Sequence, residues 1–401
     1  MIPRYVRLML AMLATFGMVG CIDAPVSNVD LKPDENGVYH VIPTGKWTIQ
    51  QVLDHVADDR DNKHIIVHAG VYRPSEFGQA LIWFQRKHDG IILEAEGDVT
   101  LTAENPELGD SSEPHFPAVV NHVVYFGDGV SPRTTLRGFT ITGARGLMTT
   151  EGDQRVEPDS AIPDLVKNLL FYADGGGIKV FGRSYPTLEE LKVVNNTAAM
   201  CGGGISIEHR GFNDDWVRIR DCVFQGNRCP GTGAAIDLLS GSSAIIDNCL
   251  VVENISNYGY DFIATTYGLQ YHDQHGSGAL TVFPHSRVEV RNCTFAGNWN
   301  GVDDRGEANL YEGCIFWHND ASDGSRSGGP YEIDIVDASR VRNCYLRGGL
   351  GDLRKALNPQ HNNLEADDPN FDLDYTPRHP SYRGVGYRPL SKGQEPDGGP
   401  R

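Results

Sequence analysis

The sequence predicts an all-β fold, a right-handed parallel β-helix solenoid with a short N-terminal capping helix. Three observations predict this class: a nine-residue phrase recurs, a second apolar strand accompanies each copy, and a segment of helical spacing precedes the first repeat. Such self-similarity is typical of folds whose repeats stack, because no single repeat buries its apolar side alone. In the helical segment, the apolar residues that lie on one face are Ile49, Val52, Leu53 and Val56.

The recurring phrase has the form strand, bend, strand, with Cys at its fourth position and usually Asn at its ninth. An earlier copy begins at Leu188 and has Leu191 in place of Cys. The copies with Cys begin at Ile219, Ile246, Val290, Tyr311 and Val341. Their cysteines are 27, 44, 21 and 30 residues apart, which fits a basic repeat of about 20 to 30 residues with loop insertions.

Alternation along the strands predicts two ladders inside the stack. The cysteines should form one inward ladder of buried thiols: Cys222, Cys249, Cys293, Cys314 and Cys344. The Asn residues lie where the chain turns. Stacked Asn residues tolerate the left-handed conformation and can hydrogen-bond from repeat to repeat.

The second strand of each repeat supplies more core and one outward row. Its inward positions are Ile178, Ile205, Ile236, Leu280, Val302 and Ile333. Its outward positions form the row Lys179, Ser206, Asp237, Thr281, Asp303 and Asp334. Stacked strands lie about 4.8 Å apart, so we expect Asp303 about 5 Å from Asp334 and about 10 Å from Asp237.

Residues 1–20 are predicted to be a signal peptide, because Arg4 and Arg7 precede an apolar stretch that is too short to span a membrane comfortably. The sequence Met18-Val19-Gly20-Cys21 resembles a bacterial lipobox. This implies lipidation of Cys21 and attachment of the exported protein to the bacterial cell envelope, at the outer membrane or the cell surface. The alternative is an ordinary secretory signal. We expect a tether over 21–40, the β-helix over 41–350, and a C-terminal capping segment with a disordered tail over 351–401.

Composition limits the partners. The formal net charge of −18 disfavours nucleic acid and anionic membrane surfaces, so we expect membrane contact through the N-terminal lipid only. A polyanionic substrate would need a local basic groove or bound cations. We expect a monomer. Cys201 and Cys229 fall outside the phase of the cysteine ladder, and they either stay free or form a disulfide in the exported protein.

The segment His64-Ile-Ile-Val-His-Ala-Gly-Val-Tyr-Arg73, with the helical segment before it, resembles the N-terminal opening of the pectate lyase and pectin methylesterase superfamily. The repeated phrases resemble those of right-handed β-helices in bacterial surface proteins, and the resemblance covers residues 41–349. It is specific for the fold and only weakly specific for chemistry. Polygalacturonase motifs do not match, because Gln274-His275-Gly276 comes before Asp303-Asp304, in the wrong order.

Two reactions are compatible with the acidic row. In a hydrolase, Asp237 and Asp303 would act as acid and base, at a separation that approaches the one used by inverting glycosidases. In a lyase, Ca²⁺ on Asp303 and Asp334 would acidify the proton beside a uronate carboxylate. Lys179 or Arg305 would then remove that proton.

Asp304 breaks the repeat, because its position is apolar in the neighbouring strands. A carboxylate is costly to bury without a partner. Asp304 therefore either pairs, with Arg305 as one candidate, or is turned to solvent by a bulge. A local rule broken within a repeat makes it a further catalytic candidate.

An insertion over 255–278 places aromatic and ionisable residues beside the row. Such side chains can stack on sugar rings and orient them. The candidate substrate-binding residues are Tyr258, Tyr260, Tyr267, Tyr271 and His275. The first hypothesis is therefore an extracytoplasmic lipoprotein that binds polysaccharide and, if it is an enzyme, acts as a lyase or glycoside hydrolase. The alternative is a non-catalytic structural or adhesion protein of the cell envelope.

Overall fold

The computed structural model of the chain describes residues 31–155, 170–259, 265, 278–321, 330–347 and 357–390. The chain divides into two compact units, Met1–Lys32 and Pro33–Arg401, and the features below belong to the second. The predicted signal peptide and Cys21 lie outside the described residues. What is described is mostly parallel β-sheet with few helices. In this part of the chain, no helix is long and apolar enough to cross a membrane.

The predicted N-terminal helix is present as α1 (Ile49–Asp58). Thr48 caps it: its hydroxyl accepts from the backbone N–H of Gln51 at 3.2 Å, and the Gln51 side chain accepts from the backbone N–H of Thr48 at 2.9 Å. The four apolar residues predicted for one face are all buried. The Gln50 amide bonds both backbone groups of Trp83, so the helix satisfies part of an exposed strand edge.

The strands form two parallel sheets, which we call the large sheet and the small sheet. Within the described residues the large sheet has 17 strands: β1 (Val38–Val41), β2 (His64–Tyr72), β4 (Ile92–Thr102), β6 (Thr135–Arg137), β7 (Thr140–Thr142), β9 (Thr187–Glu189), β10 (Lys192–Val194), β12 (Val217–Arg220), β13 (Val223–Gln225), β15 (Ser243–Asp247), β16 (Leu250–Val252), β18 (Arg287–Arg291), β19 (Thr294–Ala296), β21 (Leu310–Glu312), β22 (Ile315–Trp317), β24 (Val341–Arg342) and β25 (Tyr345–Leu346). The small sheet has 8 strands: β3 (Gly78–Phe84), β5 (Val120–Phe126), β8 (Ile178–Phe181), β11 (Ile205–Glu208), β14 (Ile236–Leu238), β17 (Leu280–Val282), β20 (Val302–Asp304) and β23 (Ile333–Ile335).

The predicted fold class, a single right-handed parallel β-helix, is wrong. The strands belong to two separate parallel sheets, and across the described ranges no strand of the large sheet pairs with one of the small sheet. The strand ladders run from one repeat to the next, so hydrogen bonds do not close the strands into one cylinder. The repeat pattern indicated which strands would pair. It did not determine closure, because a strand bonds only to its lateral neighbours.

The predicted ladder of cysteines is present inside the large sheet. The five thiols are fully buried and free, and the backbone N–H of Cys249 donates to the sulfur of Cys293 at 3.4 Å. A residue in the left-handed conformation precedes each cysteine and turns the chain between the two strands of the phrase. These residues are Asp221, Asn248, Asn292, Gly313 and Asn343.

A ladder of asparagines follows the second strand of each phrase. The members have 0% exposure and are Asn196, Asn227, Asn254, Asn298 and Asn319. Nδ2 of each amide donates to Oδ1 of the next, at distances from 2.7 to 3.2 Å. The last Nδ2 donates to the Glu332 carboxylate at 2.5 Å. The predicted bonding from repeat to repeat is therefore confirmed.

The left-handed conformation expected at these asparagines occurs one residue earlier in each repeat. The left-handed residue is the one before each asparagine, and the set is Asn195, Gly226, Glu253, Gly297 and His318. The shift has a physical reason. Where the bending residue has a side chain, as at Asn195, Glu253 and His318, that side chain is exposed. The following asparagine can then aim its amide into the bend and bond the next repeat.

Glu332 should make stability depend on pH. Burial raises the pKa of its carboxyl from 4.5 to about 7, against the opposing hydrogen bonds from Asn319. The folded chain therefore keeps a proton that the unfolded chain loses. This stabilisation should be complete below pH 4.5 and lost as the pH rises through about 7, with a slope of at most about 1.4 kcal/mol per pH unit.

Urea unfolding of the wild type and of Glu332→Gln, across that pH range, measures the effect. The free energy of unfolding should fall less with pH in the variant, because Gln keeps the acceptor oxygen and has no proton to lose. Buried His122 and His209, whose pKa values are lowered by burial, act in the opposite direction. They do so equally in both chains and cancel in the difference. The same pH dependence in both proteins would contradict the prediction.

The large sheet also carries alternating charges in register across eight of its strands. The paired positions are Glu94, Arg137, Glu189, Arg220, Asp247, Arg291, Glu312 and Arg342. Glu189 lies between two cations, 2.8 Å from Arg137 and 2.5 Å from Arg220. A strand paired one repeat out of place would set like charges side by side, which disfavours misregistration.

The C-terminal segment, residues 357–390, packs on the end and on one face of the large sheet. The backbone N–H of Leu346 donates to the carbonyl of Asn363 at 2.9 Å, so the segment pairs with the last strand. Further on, Tyr382 and Val385 join a buried cluster with Leu250 and Ile315. The segment therefore covers a sheet edge that would otherwise expose unpaired backbone groups.

Candidate functional site

The predicted row on the second strand of each repeat exists in one register. Lys179, Ser206, Asp237, Thr281, Asp303 and Asp334 are direct partners across β8, β11, β14, β17, β20 and β23. The expected outward exposure of this row is wrong, however, because Lys179, Asp237 and Asp303 each have 0% exposure. Alternation identified the face of the strand, but it could not show what packs over that face.

Glycine-rich turns explain why the row is covered. The turn before each strand folds back, so that a glycine lies over the residue four positions further on. A Cβ on Gly202 would lie 2.7 Å from the Cβ of Ser206, and one on Gly233 would lie 2.5 Å from the Cβ of Asp237. Both glycines have positive φ, +64° and +63°. Only glycine combines that conformation with such a close approach.

Five buried charged residues form what we call the acid cluster: Asp174, Lys179, Glu208, Arg210 and Asp237. Lys179 Nζ lies 2.8 Å from Glu208 Oε2 and donates to Ser206 Oγ at 3.2 Å. Arg210 Nε contacts the other Glu208 oxygen at 2.8 Å. Glu208 therefore holds two cations in place at the edge of the row.

In each of the two aspartates of the acid cluster, one carboxylate oxygen accepts a hydrogen bond from the described residues and the other does not. Asp237 Oδ1 accepts from the Thr232 hydroxyl at 2.9 Å, and Asp174 Oδ1 accepts from the backbone N–H of Cys201 at 3.0 Å. The Oδ2 atoms of both are buried and have no hydrogen-bond partner in the described part of the chain. Buried polar atoms almost always have a partner, so this pair requires an explanation.

Burial sets the protonation of both aspartates. It raises the pKa of Asp174 to about 7, with Lys179 opposing the rise and Glu208 adding to it. Burial also raises the pKa of Asp237 well above its ordinary value, and the charge of Asp174 adds to this. Burial therefore favours the protonated form of both carboxyls, and Asp174 lies near the midpoint of its titration at neutral pH.

His122 lies against the same cluster. Its Nδ1 is 2.7 Å from the carbonyl of Gly175, so Nδ1 carries the hydrogen and Nε2 carries a lone pair. Nε2 is buried and has no hydrogen-bond partner among the described residues. Burial, and then the charge of Lys179, lowers the pKa of His122 to about 3, which keeps the ring neutral.

Sequence reasoning missed Asp174, Glu208, Arg210 and His122. Two of them had a signal. Asp174 precedes three consecutive glycines, and Glu208 is the register partner of Phe181, so it breaks an apolar position as Asp304 does. His122 had none, because a single histidine in an apolar strand does not indicate its neighbours.

The other end of the row is arranged differently. Asp303 Oδ1 lies 3.6 Å from Arg305 Nε, and its Oδ2 accepts from the Tyr331 hydroxyl at 3.2 Å. Burial raises the pKa of Asp334, and the charge of Arg305 opposes the rise. The Arg305 guanidinium beside these carboxylates would compete with Ca²⁺, which takes six to eight oxygen ligands, and Ca²⁺ binding at Asp303 and Asp334 stays a prediction. Nowhere in the described ranges do three or more His, Cys, Asp or Glu residues form a group that could hold a metal.

Asp304 pairs differently from either expectation. The register from Val282 through Asp304 to Ile335 is unbroken, so no bulge turns it outward. Asn309 Nδ2 donates to both carboxylate oxygens at 2.9 and 3.0 Å, Gly306 N–H donates at 2.7 Å and the Tyr311 hydroxyl at 2.8 Å. Its partners are these groups and not Arg305. Asp304 therefore anchors the turn between β20 and β21.

Asp304→Ala should destabilise the fold by roughly 3 kcal/mol or more, because each buried donor left without its acceptor costs about 1–3 kcal/mol. Urea unfolding at neutral pH measures this change. The control is Asp98→Ala, which removes a solvent-exposed carboxylate from β4. Equal free energies of unfolding for the two variants would disprove the anchoring role.

The predicted substrate loop is only partly described. Tyr258 is 49% exposed, and the Arg228 guanidinium lies 5.9 Å from the centre of its ring. Tyr260, Tyr267, Tyr271 and His275 lie outside the described residues. Their role in substrate binding stays a prediction.

Cys201 and Cys229 do not form the disulfide that was one of two alternatives. Both are buried near Asp174 and Asp237, and both contact Thr232. Cys201 Sγ accepts from the backbone N–H of Thr232 at 3.5 Å, and Cys229 Sγ donates to the carbonyl of Thr232 at 3.1 Å. Burial raises the pKa of both thiols, so they are not nucleophiles.

The fold and the site together define a repeat-built protein of two parallel sheets, with a buried group of carboxylic acids on a face of the small sheet. No protein family, curated protein or solved structure matches the chain.

Proposed function

We propose that the protein binds a polysaccharide along the row and hydrolyses it by acid–base catalysis at the acid cluster. One observation carries the proposal. Asp174 and Asp237 are two buried carboxyls that each keep an oxygen without a hydrogen-bond partner among the described residues, next to a buried lysine. A carboxylate with a purely structural role would use both oxygens, as Asp304 does, whereas a catalytic carboxyl needs one that is available to the substrate.

The pKa values suggest a division of roles. Asp237, whose protonated form is favoured by burial, would protonate the leaving glycosidic oxygen. Asp174, with a pKa of about 7, would take a proton from the attacking water. Asp174 replaces Asp303 in the pair expected from sequence, because Asp303 already contacts Arg305 and Tyr331.

Several features favour a polysaccharide as the substrate. The opening segment around His64 resembles that of a superfamily that acts on pectin. The row continues from the acid cluster to Arg305 and Asp334, which provides polar contacts for a linear polymer over six strands. Tyr258 is an exposed aromatic ring of the kind that stacks on sugars.

Substrate access requires the turns over the row to move. The glycines in these turns have the fewest steric restrictions of any residue, which permits such a movement. Export and attachment to the cell envelope through Cys21 are part of the proposal, because the first 21 residues have the pattern of a lipoprotein signal.

A non-catalytic structural or adhesion protein of the envelope is the second candidate. The observation that favours it is the burial of the row, since Lys179, Asp237 and Asp303 are inaccessible to solvent. In this alternative the acid cluster only joins neighbouring strands, and Asp237→Asn would leave every glycan assay unchanged.

The test is a polysaccharide panel incubated with the purified protein, with and without Ca²⁺. New reducing ends without ultraviolet absorbance from unsaturated uronate would support hydrolysis. Unsaturated uronate would show a lyase and would contradict the assigned roles. If no glycan is cleaved and none is bound, the proposal fails and the structural alternative is favoured.

A further inference from the structure

Two histidines face each other on the first strands of the large sheet, far along the chain from the acid cluster. His40 on β1 and His68 on β2 lie with Nδ1 of the first 2.9 Å from Nε2 of the second. The ring centres are 5.1 Å apart and the ring planes are inclined by 21°. The rings therefore meet edge to edge, nitrogen against nitrogen. Both side chains are partly exposed, at 39% and 32%.

A carboxylate holds the outer nitrogen of each ring. His68 Nδ1 lies 2.6 Å from Glu96 Oε2, and His40 Nε2 lies 3.4 Å from Asp34 Oδ2. A carboxylate accepts hydrogen bonds, so these outer nitrogens carry the hydrogens. In the neutral tautomers the two facing nitrogens therefore both carry lone pairs. Two lone pairs at this distance repel each other, so the contact is stable only with a proton shared between the two nitrogens or with a metal ion bound to both.

We propose that His40 and His68 bind a divalent transition-metal ion of the Ni²⁺ or Cu²⁺ class, with water completing the coordination. Imidazole nitrogen is a preferred ligand for these ions. The outer carboxylates of Asp34 and Glu96 match the arrangement in which a metal-bound histidine donates its other N–H to an acid. The proposed site has two protein ligands, whereas the absence reported above concerns groups of three or more.

The nitrogen spacing favours these ions over tetrahedral Zn²⁺. With a metal–nitrogen bond of about 2.0–2.1 Å, the observed separation of the two nitrogens corresponds to an angle of about 90° at the metal. That is the angle between neighbouring ligands in square-planar and octahedral geometry, which Cu²⁺ and Ni²⁺ adopt. The rings need to tilt so that both lone pairs converge, and their exposure leaves room for this.

The test is isothermal titration of the chelator-treated full chain with NiCl₂, and with MgCl₂ as a control for non-specific binding to carboxylates. We expect one Ni²⁺ per chain and no comparable binding of Mg²⁺. His40→Gln and His68→Gln should each abolish Ni²⁺ binding. Glu96→Gln, which removes only the outer partner, should weaken it by about 10- to 100-fold.

The matched control is His64→Gln. His64 lies on β2, on the same face as His68, and pairs with Glu94 at 2.9 Å without a second histidine opposite. Its replacement should leave Ni²⁺ affinity unchanged. The proposal is overturned if the wild type shows no saturable binding, or if His40→Gln and His68→Gln bind as tightly as the wild type. Thermal unfolding of each variant checks that loss of binding is not loss of fold.

Discussion

Asp237→Asn should lower kcat/KM by about 100- to 10,000-fold on the polysaccharide that the panel identifies, because that is the usual contribution of a positioned acid or base. Asn keeps the shape of the side chain and its bond with Thr232, but it cannot donate the proton to the leaving oxygen. Asp174→Asn should cause a loss of the same order. Initial rates measured for both variants, against Asp98→Asn as an exposed control, check this prediction.

The dependence of kcat/KM on pH is a second test of the roles assigned to Asp174 and Asp237. The base must be ionised, so kcat/KM should rise with pH through about 7, the pKa of Asp174. It should fall again at higher pH, where Asp237 loses its proton. Asp174→Asn should remove the rising limb.

Asp303→Asn separates the present proposal from the pair expected from sequence. If Asp303 is the base, its variant should lose the rising limb and Asp174→Asn should keep it. The reverse is expected here, because Asp303 already has Arg305 and Tyr331 as partners. Near wild-type rates in both Asp174→Asn and Asp237→Asn would show that the acid cluster has a structural role only.

Asn254→Ala should destabilise the fold by roughly 3–5 kcal/mol, the range reached when a buried hydrogen-bond network is broken. The Asn254 Oδ1 atom accepts from the backbone N–H of Asn227 at 3.0 Å and from its Nδ2 at 3.1 Å. Its Nδ2 donates to the carbonyls of Phe224 and Val252 and to Asn298 Oδ1. Alanine breaks all five of these bonds, although Asn227 Nδ2, the Val252 carbonyl and Asn298 Oδ1 each keep another partner.

Urea unfolding of Asn254→Ala and Asn363→Ala tests this expectation. Asn363 is exposed, and its side chain accepts one bond, from the backbone of Glu365. We expect the control to change stability by less than about 1 kcal/mol. Asn254→Asp is a sharper comparison, because it keeps the acceptor and loses the donors at nearly constant size. A urea midpoint for Asn254→Ala close to that of Asn363→Ala would refute the proposed contribution of the asparagine ladder to stability.

Several parts of the structure could be predicted from the sequence because they repeat. Apolar and polar residues alternate within each strand, and each phrase ends at a fixed distance from its cysteine. These two regularities led to the strand register, the cysteine ladder and the row. The helix at Ile49–Asp58 was predictable for a related reason, since its spacing and its Thr48 cap are local.

The candidate site was predicted only in part. Lys179 and Asp237 were identified by their register, and both belong to the acid cluster. Asp174 and His122 were not, because they reach the cluster from a turn and from an earlier strand whose contacts are set by packing. The register of Asp303 was predicted correctly. Its contacts with Arg305 and Tyr331, which occupy its carboxylate, were not predicted.

By itself the sequence determined which residues become neighbours from one repeat to the next, because strand alternation and repeat spacing are local periodic properties. Only the tertiary structure decided that the strands form two sheets, that glycine turns cover the row, and that Asp174 joins Asp237. The reason is physical. Burial and the pKa of a carboxyl depend on what packs against it, and those neighbours are brought there by the path of the whole chain.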